Sequence, residues 1–234
     1  MRDKAIEDAW RGQAECRKCG IRELALFSDL QETDFGHIHL PIDEIQFEPG
    51  SALYHVGDPG VAVFTVRTGL VKLVRYLADG SQRIVRLLRP GDTAGLEAVL
   101  GQDYEHTAIP LRSALTCRIP REVVNRLAEG TPRMHAQLMQ RWQQNVRQAD
   151  AWLTSLSTGG AKARVARLLL LLMDDGATRE CALFGREDMG AMLGVTTETA
   201  SRVVAEFRRE GILAEKGPNL YDCDVEALRL IAGA

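Results

Sequence analysis

The chain has 234 residues, of which 45% are hydrophobic, so it is long enough to bury a core in one or two domains. No run approaches the roughly 18 apolar residues of a membrane span, and the N-terminus lacks the hydrophobic stretch of a signal peptide. The net charge of −3 gives no global sign of a nucleic-acid partner, and five cysteines, an odd number, argue against a disulfide framework. We therefore expect a cytoplasmic protein without a membrane partner.

Residues 1–26 are predicted to form an extension that carries a pair of cysteines. Lys4–Trp10 has the pattern of a short helix, and Cys16 and Cys19 follow it with two residues between them. Such a loop lets both sulfurs face one point, which suits a metal ion or the edge of a cluster. Two free thiols or a redox dithiol are the alternatives. Another small helix is expected at Leu24–Leu30.

Residues 44–118 have the pattern of an antiparallel β domain. Apolar and polar side chains alternate in Phe64–Arg67 and in Leu70–Tyr76, which is the period of half-buried strands. Glycines that mark turns are spaced by eleven residues, and one of them belongs to an Asp-Gly hairpin signal. They are Gly69, Gly80 and Gly91. We expect a roll or barrel of short strands in a sensor domain that covers residues 27–130.

A long helix is expected at Pro132–Leu156, after a small helix around Glu122–Leu127. Its apolar residues allow two stripes with alternating spacings of four and three residues. The first stripe consists of Leu138, Trp142, Asn145, Ala149, Trp152 and Leu156. The second consists of Met134, Leu138, Trp142, Val146, Ala149, Leu153 and Leu156. Because the helix is apolar on more than one side, we expect it to pack on its own β domain and on a second copy. Residues 131–157 are therefore assigned to dimerisation, and burial within a monomer is the alternative.

Residues 158–234 are predicted to form a separate domain, which is mainly helical. Ser157–Gly160 interrupts the helical pattern and makes a natural hinge. Beyond it, Ala161–Met173 is a strongly apolar helix. Leu213–Tyr221 has the pattern of a hairpin, and Asp224 is suited to cap a last short helix.

Two short amphipathic helices of this domain meet at Gly194-Val195-Thr196, a turn that is too short to be a linker. Gly190 in the first helix has no side chain and would let the second helix cross closely. The second helix has apolar residues at helical spacing: Ala200, Val203, Val204 and Phe207. This pattern predicts a helix-turn-helix, and a helical hairpin with solvated charges is the alternative.

The second helix would present its first two turns to base edges in the major groove. Its candidate DNA-binding residues are Thr196, Thr197, Glu198, Thr199, Ser201 and Arg202. An arginine can donate to two acceptors of a guanine, and a glutamate can accept from a cytosine amino group. The segment from Lys162 to Glu210 contains eight basic and eight acidic residues, so its charges balance. Positive charge would therefore be confined to one face, and Lys162, Arg164 and Arg167 lie close together at the start of the domain.

The run from Gly194 to Arg202 closely resembles the recognition segment of the CRP/FNR superfamily of bacterial transcription regulators. The β domain, with Glu48-Pro49-Gly50, Gly57-Asp58 and Arg89–Asp92, is similar to the cyclic-nucleotide-binding β-roll of that family. The resemblance extends from Phe27 to Ile231. It implies an α+β fold with an N-terminal β-roll, a long dimerisation helix and a C-terminal winged helix-turn-helix. It also implies a homodimer on an inverted-repeat operator with TTGA-type half-sites, and contact with RNA polymerase.

The ligand pocket departs from the cyclic-AMP branch of this family. Members of that branch carry a Gly-Glu pair that holds the ribose and an arginine that neutralises the cyclic phosphate. The corresponding positions here are Gly95-Leu96 and His106-Thr107-Ala108. A phosphate would lack its bidentate partner, and Glu97 lies one residue out of register. Control by cyclic AMP is therefore not expected.

Regulators of the FNR branch hold an oxygen-labile four-iron, four-sulfur cluster on cysteines near the N-terminus and one in the β-roll. By this resemblance Cys16 and Cys19 match the first pair and Cys117 matches the distant ligand. Ala25 occupies the position of the remaining cysteine. Since such a cluster normally has four ligands, a fourth would have to come from another side chain or a small molecule. The candidate side chains are Asp29, Glu23 and His37.

A response to redox state, oxygen or a diatomic gas is expected in place of cyclic AMP, and three interpretations of the signal stay open, one of which includes an effector-free regulator. The first is an iron-sulfur cluster or another metal on the three cysteines. The second is control by thiols alone, or by the amount of protein. The third is haem, for which His55 and His106 are the first candidates. Cys181 and Cys223 are expected to be inert, although oxidation of Cys181 could impair DNA binding.

An enzyme built on the β-roll, such as a cupin-like metal oxygenase, is the remote alternative. His37 and His39 would put two imidazoles on one face of a strand, but no carboxylate and third histidine follow at a suitable spacing. The sequence also lacks a nucleophile with an adjacent base and a phosphate-cradling glycine loop. We therefore expect a regulator and not an enzyme.

Overall fold

A computed structural model describes residues 24–31, 33–173 and 179–233 of the chain. The helix predicted at Lys4–Trp10, the cysteine pair Cys16 and Cys19, and Glu23 lie outside these residues. The chain clusters into two compact units. The first consists of the residues as far as Arg75 together with Val85–Val146, and the second consists of Tyr76–Ile84 together with Arg147–Ala234.

The first unit is a β-roll, which confirms the predicted antiparallel β domain. Its sheet has the strand order β1-β5-β2-β3, and β4 pairs with β2. The strands are β1 (Asp43–Phe47), β2 (Ala62–Tyr76), β3 (Gln82–Leu88), β4 (Thr93–Ala94) and β5 (Thr107–Pro120). The alternating sequence forms these strands because one face of each strand supplies apolar side chains to the core. In that core Tyr54 stacks on Tyr104, with ring centroids 3.8 Å apart.

Strand β2 is continuous over 15 residues, although the sequence pattern predicts a turn at Gly69. Gly69 has a φ of +90°, and the pairing of β2 with β5 shifts register between Val66 and Val71. A Cβ atom on Gly69 would lie 2.4 Å from the carbonyl oxygen of Ser113. This glycine therefore permits bulges within a bent strand and does not form a turn.

Two helices follow the sheet, α1 (Arg121–Gly130) and α2 (Pro132–Ser155), close to the predicted positions. The start of α2 belongs to the β-roll, because Met134 and Leu138 are buried in its core. Before the sheet, the chain forms turns and not the helix predicted at Leu24–Leu30. Its backbone hydrogen bonds there run from Ser28 to Ala25 and from Leu30 to Phe27, at 3.1 and 3.2 Å.

The second unit is a winged helix-turn-helix. Its helices are α3 (Ala161–Leu172), α4 (Arg186–Leu193), α5 (Thr197–Arg209) and α6 (Val225–Ala232). A small sheet has the order β6-β8-β7, with β6 at Glu180–Ala182, β7 at Leu213–Gly217 and β8 at Leu220–Cys223. The predicted hairpin is thus β7–β8, whereas β6 was not foreseen. Asp224 caps α6 as expected, since its Oδ1 accepts from the Ala227 N–H at 3.1 Å.

Among the residues that the structure describes, none of the helices combines the length and the apolar character that a membrane crossing requires.

Candidate DNA-binding site

The turn between α4 and α5 depends on two glycines. Gly194 ends α4 with a φ of +66°, and its N–H donates to the Gly190 carbonyl at 2.9 Å. The Val195 N–H donates to the same carbonyl at 3.2 Å. A Cβ atom on Gly190 would lie 2.7 Å from the Val195 carbonyl oxygen, so a larger residue would push the turn away. The close crossing expected at Gly190 is therefore present.

Helix α5 is held on one face and capped at its start. Its predicted apolar residues are buried at 5% exposure or less: Ala200, Val203, Val204 and Phe207. Thr196 is the N-cap, and its Oγ1 accepts from the Thr199 N–H at 3.2 Å. Packing on one side and capping at the end fix the orientation of this helix within its unit.

The predicted reading residues lie on the opposite face of α5. Thr196, Thr197, Glu198, Ser201 and Arg202 are exposed, and Thr199 is half-buried. The pKa of Glu198 is lowered, first by its own backbone N–H and then by the Thr196 hydroxyl and the Arg202 guanidinium. Glu198 is therefore an anion and a hydrogen-bond acceptor at neutral pH, one helical turn before a guanidinium donor.

Several basic side chains near α5 are already engaged with carboxylates of the same unit. Nζ of Lys162 lies 2.8 Å from Glu206, and Nζ of Lys216 in the wing lies 2.8 Å from Glu180. Arg208 lies 2.5 Å from Glu215 on β7. The positive face that the sequence suggests is thus partly neutralised within the protein.

A shallow groove separates α5 from the wing, and sequence reasoning missed it. Three arginines contribute to its lining, which consists of Arg202, Ala205, Arg208, Arg209, Leu213 and Glu215. In the sequence, the feature that could have indicated this groove is the adjacent pair Arg208-Arg209 at the end of the helix. Such a groove carries guanidinium donors of the kind that contact DNA phosphates.

Arg164 and Arg167, which were expected to add to a basic face, are instead used inside the unit. Both are half-buried on α3. Their guanidinium groups donate to backbone carbonyls, among them those of Leu193 and Ala232. They are therefore not available as phosphate contacts.

Of the three cysteines predicted as metal ligands, only Cys117 is among the described residues. It is half-buried on β5, between Glu44 of β1 and Thr65 of β2. Ala25, which replaces the remaining cysteine, offers no donor. In the part of the chain that the structure describes, no three His, Cys, Asp or Glu side chains come together as a metal site. Three thiolates fall one short of the usual four, so the cysteine set alone does not fit a four-iron cluster.

Cys181 and Cys223 are buried on β6 and β8 of the second unit. A hydrogen bond with the Cys181 thiol lowers the pKa of Cys223, whereas burial opposes this shift. Both thiols therefore lie among packed side chains, and their expected inertness stays a prediction.

The histidines proposed as haem ligands have different surroundings. His55 is exposed in a turn, where its backbone N–H donates to Oδ2 of Asp58 at 2.8 Å. His106 is half-buried just before β5, and burial together with the Arg86 charge lowers its pKa to about 4. His106 is therefore neutral at pH 7. His37 and His39, the pair considered for an enzyme, lie at and just after a short 3-10 helix and not on a strand.

The positions that hold a cyclic nucleotide in other family members are used for internal packing. Leu96 and Ala108 are buried, and Oγ1 of Thr107 accepts from the Val56 N–H at 3.1 Å. The Glu97 carboxylate accepts from the Glu105 N–H at 3.1 Å.

Helix α2 has buried and exposed apolar residues on different sides. Of the first predicted stripe, Leu138, Trp152 and Leu156 are buried within the protomer, while Trp142, Asn145 and Ala149 are half-buried. Three large apolar residues at intervals of seven are instead 49%, 55% and 66% exposed: Met139, Val146 and Leu153. Val146 and Leu153 belong to the second stripe and Met139 belongs to neither, so the apolar surface that the protomer leaves uncovered follows the second stripe only in part.

Models of two known domains match the chain. A cyclic nucleotide-binding domain matches residues 44–131, and a Crp-like helix-turn-helix domain matches residues 163–231. Among characterised proteins, the transcriptional activator protein anr of Pseudomonas aeruginosa is 28% identical over 232 residues, which cover 94% of this chain and 93% of that protein. The fumarate and nitrate reduction regulatory protein of Vibrio cholerae is 26% identical over 225 residues, which cover 93% and 90%.

Solved structures agree with these matches. FixK2 from Bradyrhizobium japonicum superposes with a TM-score of 0.74 at 26% identity, covering 83% of this chain and 99% of that one. TTHB099 from Thermus thermophilus, a transcriptional regulator of the CRP family, has a TM-score of 0.71 at 26% identity and covers 81% and 97%. The matches include both the β-roll and the winged helix. The chain therefore belongs to the CRP/FNR superfamily of transcription regulators, whose FNR-type members are among its relatives.

Proposed function

We propose that the protein is a homodimeric regulator that binds an inverted-repeat operator and responds to redox state, oxygen or a diatomic gas. One observation carries the DNA-reading part: Glu198, Ser201 and Arg202 are exposed together on a helix whose other face is buried and whose start is capped. An acceptor, a hydroxyl and a guanidinium thus stand on a rigid support, which base reading requires.

In this proposal each protomer inserts the first two turns of α5 into one major groove. Arg202 donates to the O6 and N7 atoms of a guanine, and Glu198 accepts from a cytosine amino group. Arg209 in the groove beside the wing contacts a phosphate and helps to fix the register, whereas Arg208 is held by Glu215. Two copies would read half-sites about one helical turn apart, and the family resemblance supports contact with RNA polymerase.

The exposed stripe of α2 supports a second copy as the partner of that helix. Residues at intervals of seven on one helix form a continuous seam in a parallel pair. Met139, Val146 and Leu153 have this spacing and are largely exposed in the protomer. We therefore assign the dimer seam to these residues with the neighbouring Trp142 and Ala149.

The DNA-reading proposal is tested by selecting duplexes from a random pool, under air and under nitrogen, and comparing the wild type with Arg202→Ala. We expect an inverted repeat from the wild type. Arg202→Ala should lose about 1 to 3 kcal/mol of discrimination at one guanine of each half-site. Arg229→Ala is the matched control, because Arg229 is an exposed arginine on α6 of the same unit. An equal loss by Arg202→Ala on selected and scrambled DNA would contradict base reading.

For the signal, we propose that Cys16, Cys19 and Cys117 carry the redox response. The name of the Vibrio cholerae relative, which refers to fumarate and nitrate reduction, supports this choice. Thiolates are the nucleophilic and metal-binding form of cysteine, so oxidation or metal loss would change their charge and geometry. Since the three cysteines fall short of four ligands, an iron-sulfur cluster would also require a donor from outside this set.

Anaerobic purification distinguishes the three interpretations of the signal. Brown protein with iron and sulfide that bleaches in air, and that loses its colour in Cys117→Ser, would support a cluster. Colourless protein without iron or zinc, whose DNA binding still changes on thiol oxidation, would support thiol control. A Soret band would select haem, with His55→Ala and His106→Ala as the variants to compare. DNA binding that is indifferent to all these conditions would overturn the proposed signal.

A further inference from the structure

Two arginines on α3 connect the hinge to the ends of other helices in the second unit. Nε of Arg167 donates to the Ala232 carbonyl at 2.8 Å, and its Nη1 donates to the carbonyls of Ser155 and Thr158 at 2.7 and 2.9 Å. Arg164 donates through Nε to the Gly159 carbonyl at 2.9 Å and through Nη1 to Leu193 at 3.0 Å. Together the two side chains bind five backbone carbonyls.

These carbonyls share a physical property. Ser155, Leu193 and Ala232 are the last residues of α2, α4 and α6. The last carbonyls of a helix have no partner within the helix and lie at the negative end of its dipole, so a guanidinium is a favourable partner there. The other two acceptors, Thr158 and Gly159, lie in the hinge itself.

The geometry restricts how the chain leaves the end of α2. The planar guanidinium of Arg167 has its donors in a fixed fork, and three bonds determine its position. It joins the end of α2, the hinge and the end of α6, while Arg164 joins the hinge to the end of α4, next to the turn before α5. Any rotation of the last turn of α2 relative to the helix-turn-helix must break several of these bonds.

We propose that Arg167, assisted by Arg164, is a positioning residue that sets the direction of the last turns of α2, which belong to the second unit, relative to the recognition helix. This inference rests on the proposed function, because in a dimer joined along α2 that direction fixes the distance between the two recognition helices. Arg167 contacts no DNA in this role. It determines which half-site spacing the dimer can bind.

The test measures affinity for two kinds of duplex. The first kind carries two copies of the selected half-site, with centre-to-centre spacings that vary by single base pairs around one helical turn. The second kind carries one half-site. The variants are Arg167→Met, which keeps the apolar stem without its donors, and Arg167→Lys, which keeps the charge without the fork. Arg229→Met, an exposed arginine on α6, is the control. The wild type and the control should show one preferred spacing, with about tenfold weaker binding one base pair away.

We expect both Arg167 variants to lose about tenfold in affinity at the preferred spacing and to discriminate between spacings less than threefold. Binding to one half-site should stay within about twofold of the wild type, which a general loss of folding would not allow. If Arg167→Met fails to fold, Arg167→Lys decides the question. A folded variant that keeps the wild-type spacing profile overturns the proposal. A wild type that prefers no spacing instead overturns the proposed function, and this inference with it.

Discussion

The winged-helix unit and the β-roll differ in how their functional positions are distributed along the chain. The candidate DNA-reading residues all come from the seven residues 196–202, and one capped helix presents them. The positions of the ligand pocket are spread over several segments of the β-roll, where Leu96, Thr107 and Ala108 pack internally. A short motif can therefore identify the DNA-binding site, whereas the sensor site depends on contacts between distant segments.

The largest expected effect compares one glycine from each unit. A glycine that makes a long-range contact in the β-roll should tolerate alanine less well than a glycine outside the turn of the helix-turn-helix. Gly69→Ala should lower the free energy of unfolding of the β-roll by about 3 kcal/mol or more, because φ is +90° and the new Cβ would meet the Ser113 carbonyl. Gly185→Ala at the N-cap of α4 should change stability by no more than about 1 kcal/mol, because no atom lies within 4 Å of its Cβ position and only the preference for glycine over alanine at an N-cap is lost. Chemical denaturation measures both, and equal effects would contradict the difference.

A smaller effect concerns helix α2, which contributes to both units. Leu153→Glu should weaken dimerisation by about 2 kcal/mol, or roughly 30-fold, because a leucine that the proposed seam would bury would become a charge. Gln144→Glu introduces the same charge on the opposite side of α2 and should leave the dimer intact. Sedimentation equilibrium measures the association constants. A Leu153→Glu variant that dimerises like the wild type would place the seam elsewhere.

The smallest effect is a pH dependence confined to the β-roll. The folded-state pKa of His106 is about 4, below the usual value of 6.5, so protons bind more strongly to the unfolded chain in this range. Stability should therefore be fully present above pH 6.5 and decrease as the pH falls towards 4. We expect a loss of about 1 kcal/mol between pH 7 and pH 5, after allowance for partial exposure. His106→Asn should flatten this dependence, and an unchanged slope would contradict it.

The sequence was sufficient for features that depend on neighbouring residues. The period of α5 and the wing hairpin at Leu213–Tyr221 follow from local patterns, and the structure has both. The family resemblance added the order of the domains. The role of Gly190 was also predictable, because only a residue without a side chain allows the close turn.

Features that depend on distant partners were not predictable. Gly69 has the same spacing as two glycines in turns, but Ser113, far along the chain, makes it part of a bent strand. Strand β6 has three residues, and its pairing with β8, which sequence periodicity does not reveal, makes it a strand. The uncovered side of α2 depends on what packs beneath it, so sequence periodicity could not choose between the two stripes. Arg164 and Arg167 look like surface charges until their carbonyl partners are known.

The ion pairs around the recognition helix also affect how the protein finds its operator. Lys162, Lys216 and Arg208 each have an intramolecular carboxylate partner, so these three cations are less available to displace the counterions of DNA phosphates. The logarithm of affinity falls with the logarithm of salt concentration in proportion to the number of phosphates neutralised. The search along non-specific DNA should accordingly be brief, and occupancy of a target should tolerate changes in ionic strength.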